Sequence, residues 1–334
     1  MKSFRLEVSG FATIVMLLLL SCKQDTRQQF KNTKLSGAVF GTSYSIIYDS
    51  DSDYTKQFDS LFQVVNQSLS TYIPSSDISK LNRNEMVIVD EHFITVFQAS
   101  KDIYNQTQGV FDPTIGAVVN AWDFGPEGKI NNIDSLKIDS LMLGVGLNKV
   151  RLENNRVIKP AITFLDFNAI AKGYGVGVIA NFLEEKGIHN YLVEIGGEIH
   201  AGGKNAEKQK PWKVGVEMPL FDGSQSILKT ISITDEAMAT SGTYRKFKVD
   251  ENGNRYSHII DTKTGYPSKT NLLSISVLAE NCMIADAYAT AFKSMGVNAV
   301  KDFLKTHPEL KAFLIFENEE GELETLALNG FPES

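Results

Sequence analysis

The chain is poor in cysteine: only Cys22 and Cys282 occur among its 334 residues. A disulfide framework and a four-cysteine zinc site are both excluded, so stability must come from a buried core. Basic charge is also short. Lys and Arg total 33 against 40 Asp and Glu, a formal net charge of −7. No Lys/Arg block or basic–aromatic stripe interrupts that balance, which argues against a nucleic-acid partner. An anionic ligand would have to be met locally, by a metal or by helix N-termini. Internal repeats, low-complexity blocks and a clean interdomain linker are absent too, so one compact domain is expected.

Long apolar runs are confined to the N-terminus, where FATIVMLLLL (residues 11–20) follows Lys2 and Arg5. Ten apolar residues are short for a bilayer span but fit the core of a signal peptide. The run ends in LLSC, which resembles the bacterial lipobox, although Leu20 is bulkier than the usual residue there. Residues 1–21 are therefore expected to be a lipoprotein signal peptide, Cys22 the lipidated residue and residues 22–35 a polar tether. Residues 36–334 would form the domain, held at the membrane of the bacterial envelope and facing the periplasm. A plain signal peptide or an uncleaved anchor is the alternative.

What is present is ordinary globular composition, 43% hydrophobic and 22% charged. The alternating stretch 36–49 reads as a strand, and residues 54–72 and 90–109 as helices, the second ended by Gly109. A short helix is expected after Pro113 and a loop over 123–135. Beyond Val150, the stretches TFLDF, NYLVEI, WKVGVEM, ILKTISIT and NLLSISVLA read as strands, interrupted by helices over 169–186 and about 282–295. A closing hairpin is expected around Glu320–Gly321. The fold class is α+β, with mixed or antiparallel sheets and packed helices.

Two stretches carry chemistry. AIAKGYGVG (Ala169–Gly177) puts three glycines and a lysine at a helix start, where glycine is unfavourable. Its lysine precedes the glycines, so it is no Walker A loop. Gly175, Gly177 and Ala180 fit G-x-G-x-x-A, but without the βαβ alternation a dinucleotide fold requires. Two readings stay open: close packing against a neighbour, or a helix N-terminus capped by Asn168 and open to a phosphate. In ADAYATAF, Asp286 and Thr290 stand four apart and share one helix face. That face is either solvated or a hard-cation site suited to Mg²⁺.

Together with LSTYIPSSDISKLN, GVFDPTIGAVVNAWDFG, LVEIGGEIHAGG, MATSGTYRKF and HIIDTKTGYP, these stretches resemble, in order over residues 36–330, the ApbE family of FAD:protein FMN transferases. The resemblance implies FAD as substrate, bound across sheet and helix ends with Mg²⁺ at its diphosphate. Asp286 and Thr290 would be side-chain metal ligands and Ala171 a backbone-carbonyl ligand. Asn168, Lys172 and Tyr174 would surround the same spot. Phe40 and Tyr72 would contact flavin or adenine rings; Val110, Phe111 and Asp112 would line FAD, as would His258 and Ile259. His258 or a nearby carboxylate would be the base. The implied reaction is attack by a threonine hydroxyl of an exported or membrane flavoprotein on the FMN-side phosphorus, releasing AMP. Many relatives read KGYAVD where this chain has Gly175 and Gly177. An FAD pyrophosphatase and a non-catalytic FAD-binding lipoprotein are the alternatives.

Overall fold

The computed structural model describes residues 31–128, 133–244, 247–249 and 255–333. The expected signal peptide, Cys22 and most of the tether lie outside these residues. The domain opens with a hairpin of β1 (Thr33–Val39) and β2 (Thr42–Tyr48). The alternation that reads as one strand is folded back at Phe40–Gly41, both at positive φ (49° and 73°). Two such residues give the turn whose twist matches the flanking strands. Because β1 starts at Thr33, the last residues read as tether belong to the sheet.

Helices α1 (Thr55–Leu69), α2 (Asp77–Asn82), α3 (Glu91–Gln106), α4 (Gly116–Ala121) and α5 (Ser135–Met142) follow. The stripe Phe58, Phe62, Val65 and Leu69 buries α1, and Asp90 caps α3 by accepting the Phe93 N–H at 2.9 Å. Helix α5 is unexpected from its sequence: Ile138 is its one buried residue, too little for an apolar stripe. A small hairpin of β3 (Arg151–Glu153) and β4 (Arg156–Ile158) precedes TFLDF. That stretch is not a strand but makes a lone bridge, Phe164 to Ile115. Its backbone is claimed elsewhere: Leu165 exchanges two 2.8 Å hydrogen bonds with the Asn82 amide, and the Asp166 N–H donates to the Pro113 carbonyl.

The rest alternates around α6 (Ala171–Glu185): β5 (Tyr191–Ile195), β6 (Glu198–Gly202), β7 (Trp212–Glu217), β8 (Ile227–Ile233) and β9 (Glu236–Gly242). Then come β10 (Phe247–Val249), β11 (Arg255–Ser257), β12 (Leu272–Ala279), α7 (Cys282–Met295), α8 (Val297–Leu304), β13 (Lys311–Glu317) and β14 (Leu323–Leu328). One sheet runs β1-β2-β5-β6-β9-β12-β13-β14 with every neighbouring pair antiparallel. The α+β expectation holds, and the sheet is antiparallel.

Side chains alternate across this sheet. From β12, Ile275 and Val277 point to a core shared with α1, α3, α7 and α8, whereas Leu278 meets Trp212, Val214 and Ile231 of the β7–β8 hairpin. Helices thus cover one face and a hairpin the other. Helix α6 packs over the β1–β2–β5 end through Val176, Ile179, Ala180 and Leu183.

Candidate active site

Helices α6 and α7 approach closely where α6 begins, and two glycines permit it. A Cβ on Gly173 would run into the Cys282 carbonyl and lie 2.8 Å from Asp286 Cβ. A Cβ on Gly175 would lie 2.5 Å from the Phe40 ring, while one on Gly177 would meet nothing within 4 Å. Close packing is therefore the local reason for the first two glycines. Asn168 does not cap α6: Ile170 holds that position, and the Asn168 N–H instead donates to Asp166 at 2.8 Å. The cap comes from the facing helix, because Asp286 Oδ2 accepts the Gly173 N–H at 2.9 Å. A carboxylate there meets both an unpaired amide and the positive end of the helix dipole.

Asp286 is 3% exposed, so the α7 face it shares with Thr290 is not a solvated one. Thr290 lies one turn on, with its hydroxyl 3.2 Å from that of Ser241 in β9. Lys172 reaches over from α6 to Glu198 at 2.6 Å. Burial would lower the Lys172 ammonium, but Asp286 and Glu198 together hold it above its ordinary value. Burial pushes the Glu198 carboxyl up to about 7 against the pull of Lys172.

Two adjoining cavities, of about 310 and 660 Å³, meet at Asn168, Lys172 and His258. The first is bordered by Val110, Phe111, Asp112, Ile259, Glu198, Asp286 and Thr290. The second is bordered by Phe40, Tyr72 and Ala171. Both fall in the size range of small-molecule sites. Asp112 is buried, which raises its carboxyl pKa, and it accepts from the Thr114 N–H at 2.9 Å and hydroxyl at 2.6 Å. Phe111 is core on one side and cavity wall on the other. His258 lies edge-on to Phe124, 6.2 Å between ring centres. Phe40 presents its ring from a positive-φ position, which a bulky residue adopts at a cost of about 1–3 kcal/mol. Tyr72 is 54% exposed at the rim.

Of the residues singled out by sequence within the described part of the chain, all but Tyr174 border one cavity or both. The Tyr174 hydroxyl lies 2.8 Å from His92 Nδ1 on α3, and burial pushes its phenol up to about 12. It belongs to the helix packing rather than to the cavity walls. Glu198, Thr240 and Ser241 were missed, although EIGGEIH and MATSGTYRKF stood out as stretches. The available signal was Glu198 itself, a carboxylate directly after two glycines in an otherwise apolar strand pattern.

The family model that matches is the ApbE family, over residues 40–314. The chain belongs to the ApbE family. It is 34% identical over 332 residues to the FAD:protein FMN transferase of Haemophilus influenzae, covering 94% of each chain. With the enzyme of the same name from Vibrio cholerae it shares 36% over 294 residues, 84% of this chain and 85% of that one. The solved flavin transferase ApbE from Vibrio cholerae superposes with a TM-score of 0.80 at 33% identity, over 89% of this chain and 97% of that chain.

The donors on this ApbE-family site fit a hard cation. Asp286 supplies a buried carboxylate and Thr290 a hydroxyl on the first cavity, and Ala171 borders the adjoining one. Among the described residues no cluster of three or more His, Cys, Asp or Glu could hold a metal. A cation here would therefore rest on mixed oxygen ligands, the set that suits Mg²⁺.

Proposed function

We propose that the protein is an FAD:protein FMN transferase that moves FMN from FAD onto a threonine hydroxyl of an acceptor flavoprotein and releases AMP. The observation that carries the reading is the meeting of the two cavities at Lys172 and His258, beside Asp286 and Thr290, in a chain of this family. A two-headed ligand such as FAD needs adjoining cavities with its diphosphate at the junction. Lys172 is the point charge available to that diphosphate.

Asp286, Thr290 and the Ala171 carbonyl are the residues that would hold Mg²⁺, which supplies charge neutralisation at the phosphate oxygens. The aromatic walls at Phe40 and Tyr72 and the Val110–Asp112 segment orient the two ends of FAD and exclude water. His258, bordering both cavities, takes the proton of the attacking hydroxyl. The new oxygen–phosphorus bond forms on the FMN side as the bond to the AMP phosphate breaks, so FMN stays joined by a phosphodiester. We further propose that Cys22 is lipidated and holds the domain on the periplasmic side of the envelope membrane. Its acceptors are then exported or membrane flavoproteins.

The test is an intact-mass measurement. The protein, FAD, Mg²⁺ and an acceptor subunit bearing a candidate threonine should give an acceptor heavier by FMN minus water, and EDTA should abolish the gain. Free FMN and AMP with unmodified acceptor would replace this reading by FAD hydrolysis. Intact bound FAD without turnover would replace it by a carrier. Asp286→Asn keeps an acceptor for the Gly173 N–H; it should lower transfer at least about 100-fold while circular dichroism stays unchanged.

A further inference from the structure

Of the carboxylates on the wall of the first cavity, Glu198 and Asp286 are the two that act on Lys172, and the transfer chemistry above gives Glu198 no task. Glu198 is 3% exposed, and its Oε2 has no hydrogen-bond partner. Its other oxygen holds Lys172 at 2.6 Å. Asp286 attracts the same ammonium strongly, and it borders the same cavity. An isolated buried carboxylate is costly, and a single lysine cannot neutralise two. The pairing therefore decides which acid is left with net charge. With Lys172 on Glu198, that acid is Asp286.

We propose that Glu198 is a positioning residue that draws Lys172 away from Asp286 and so keeps the Asp286–Thr290 pair open to a divalent cation. The inference rests on the reading of Asp286 and Thr290 as metal ligands. Without the Glu198 charge, the ammonium has only Asp286 to neutralise it. The cation site then closes as an internal ion pair. Without the lysine, two carboxylates face the cation together. Without both, Asp286 again stands alone with the net charge it has in the native protein.

The experiment titrates Mg²⁺ alone, without FAD, into the EDTA-stripped full chain in detergent at pH 8, read by calorimetry. Glu198→Gln should weaken Mg²⁺ binding at least about tenfold, because a unit charge beside a divalent ion matters that much even at an effective dielectric of ~20. Lys172→Met should tighten it, and the double variant should return to within about threefold of the native chain. Native affinity in Glu198→Gln, or a double variant as weak as Glu198→Gln, overturns the proposal. If Glu198→Gln does not fold by circular dichroism, Lys172→Met decides alone, and unchanged or weaker binding there overturns it. Asp286→Asn separates the two levels. A native chain that binds no Mg²⁺, or an Asp286→Asn chain that binds it as well as the native one, removes the metal reading itself. Binding lost in Asp286→Asn but unchanged in Glu198→Gln removes only the role of Glu198.

Discussion

Lysine is drawn into the fold at both ends of the α6–α7 layer, with opposite results. At the α6 start, Lys172 meets Glu198 and Asp286, and its ammonium is held up despite burial. In the last turn of α7, Lys293 is 1% exposed and donates to the Thr270 hydroxyl at 3.2 Å. Among the described residues no carboxylate pairs with it, and burial pushes its ammonium down to about 8. The first end sets its charge where two cavities meet. The second is walled by apolar packing and hydroxyls, and its lysine costs stability. What differs is counter-charge as well as depth, since 33% of the Lys172 side chain is exposed. A lysine drawn into the fold keeps its charge where carboxylates face it, and costs stability where they do not.

The largest effect that could break this contrast concerns Lys293. Its native pKa lies below the unfolded value near 10.5, so the unfolded chain binds more protons between those values, and stability rises with pH through that window. Lys293→Met removes the penalty. The variant should be more stable than the native chain at pH 7, and that advantage should shrink by about 2 kcal/mol by pH 9.5. Urea melts at the two pH values measure it, and a constant difference would mean that Lys293 is as well compensated as Lys172.

A middle-sized effect sharpens the account of the other end. Gly173→Ala places a methyl group against the Cys282 carbonyl and Asp286, and should cost about 2 kcal/mol of stability. It should also lower FMN transfer by moving the helix that carries Asp286. The smallest effect is its control. Gly177 faces open space within the same helix, so Gly177→Ala should gain about 0.5–1 kcal/mol from helix propensity alone and leave transfer unchanged. Thermal melts of the pair should move in opposite directions.

These glycines also mark where the sequence stopped being legible. Local signals worked well. The helix expected over about 282–295 is α7 (Cys282–Met295), where Asn281 accepts the Met283 N–H and Gly296 takes φ 78°. The closing hairpin turns at Gly321, where φ is 80°. The tasks of Gly173 and Gly175 depend instead on Cys282 and Phe40, more than a hundred residues away, and no local pattern reports such a contact. The same holds for Glu198, whose significance is its distance to Lys172. TFLDF has the composition of a strand, yet the Asn82 side chain claims its backbone. Helix α8 follows Gly296 at once and spans eight residues, too short for its periodicity to stand out from that of α7. The ApbE resemblance supplied the cavity residues because ordered motifs preserve long-range neighbours that single residues do not reveal. Tyr174 shows the limit of that transfer, since its hydroxyl is spent on His92.

The first hairpin also sets a distance. Strand β1 runs seven residues from Thr33 to Val39 and delivers Phe40 to the rim of the second cavity. At ~3.4 Å per residue, that is a rigid arm of about 24 Å between the point where the upstream chain joins the sheet and the opening of the second cavity. Hydrogen bonds to β2 along its whole length keep it straight. The mouth of the second cavity is thereby carried away from the start of the sheet by about the thickness of a small domain.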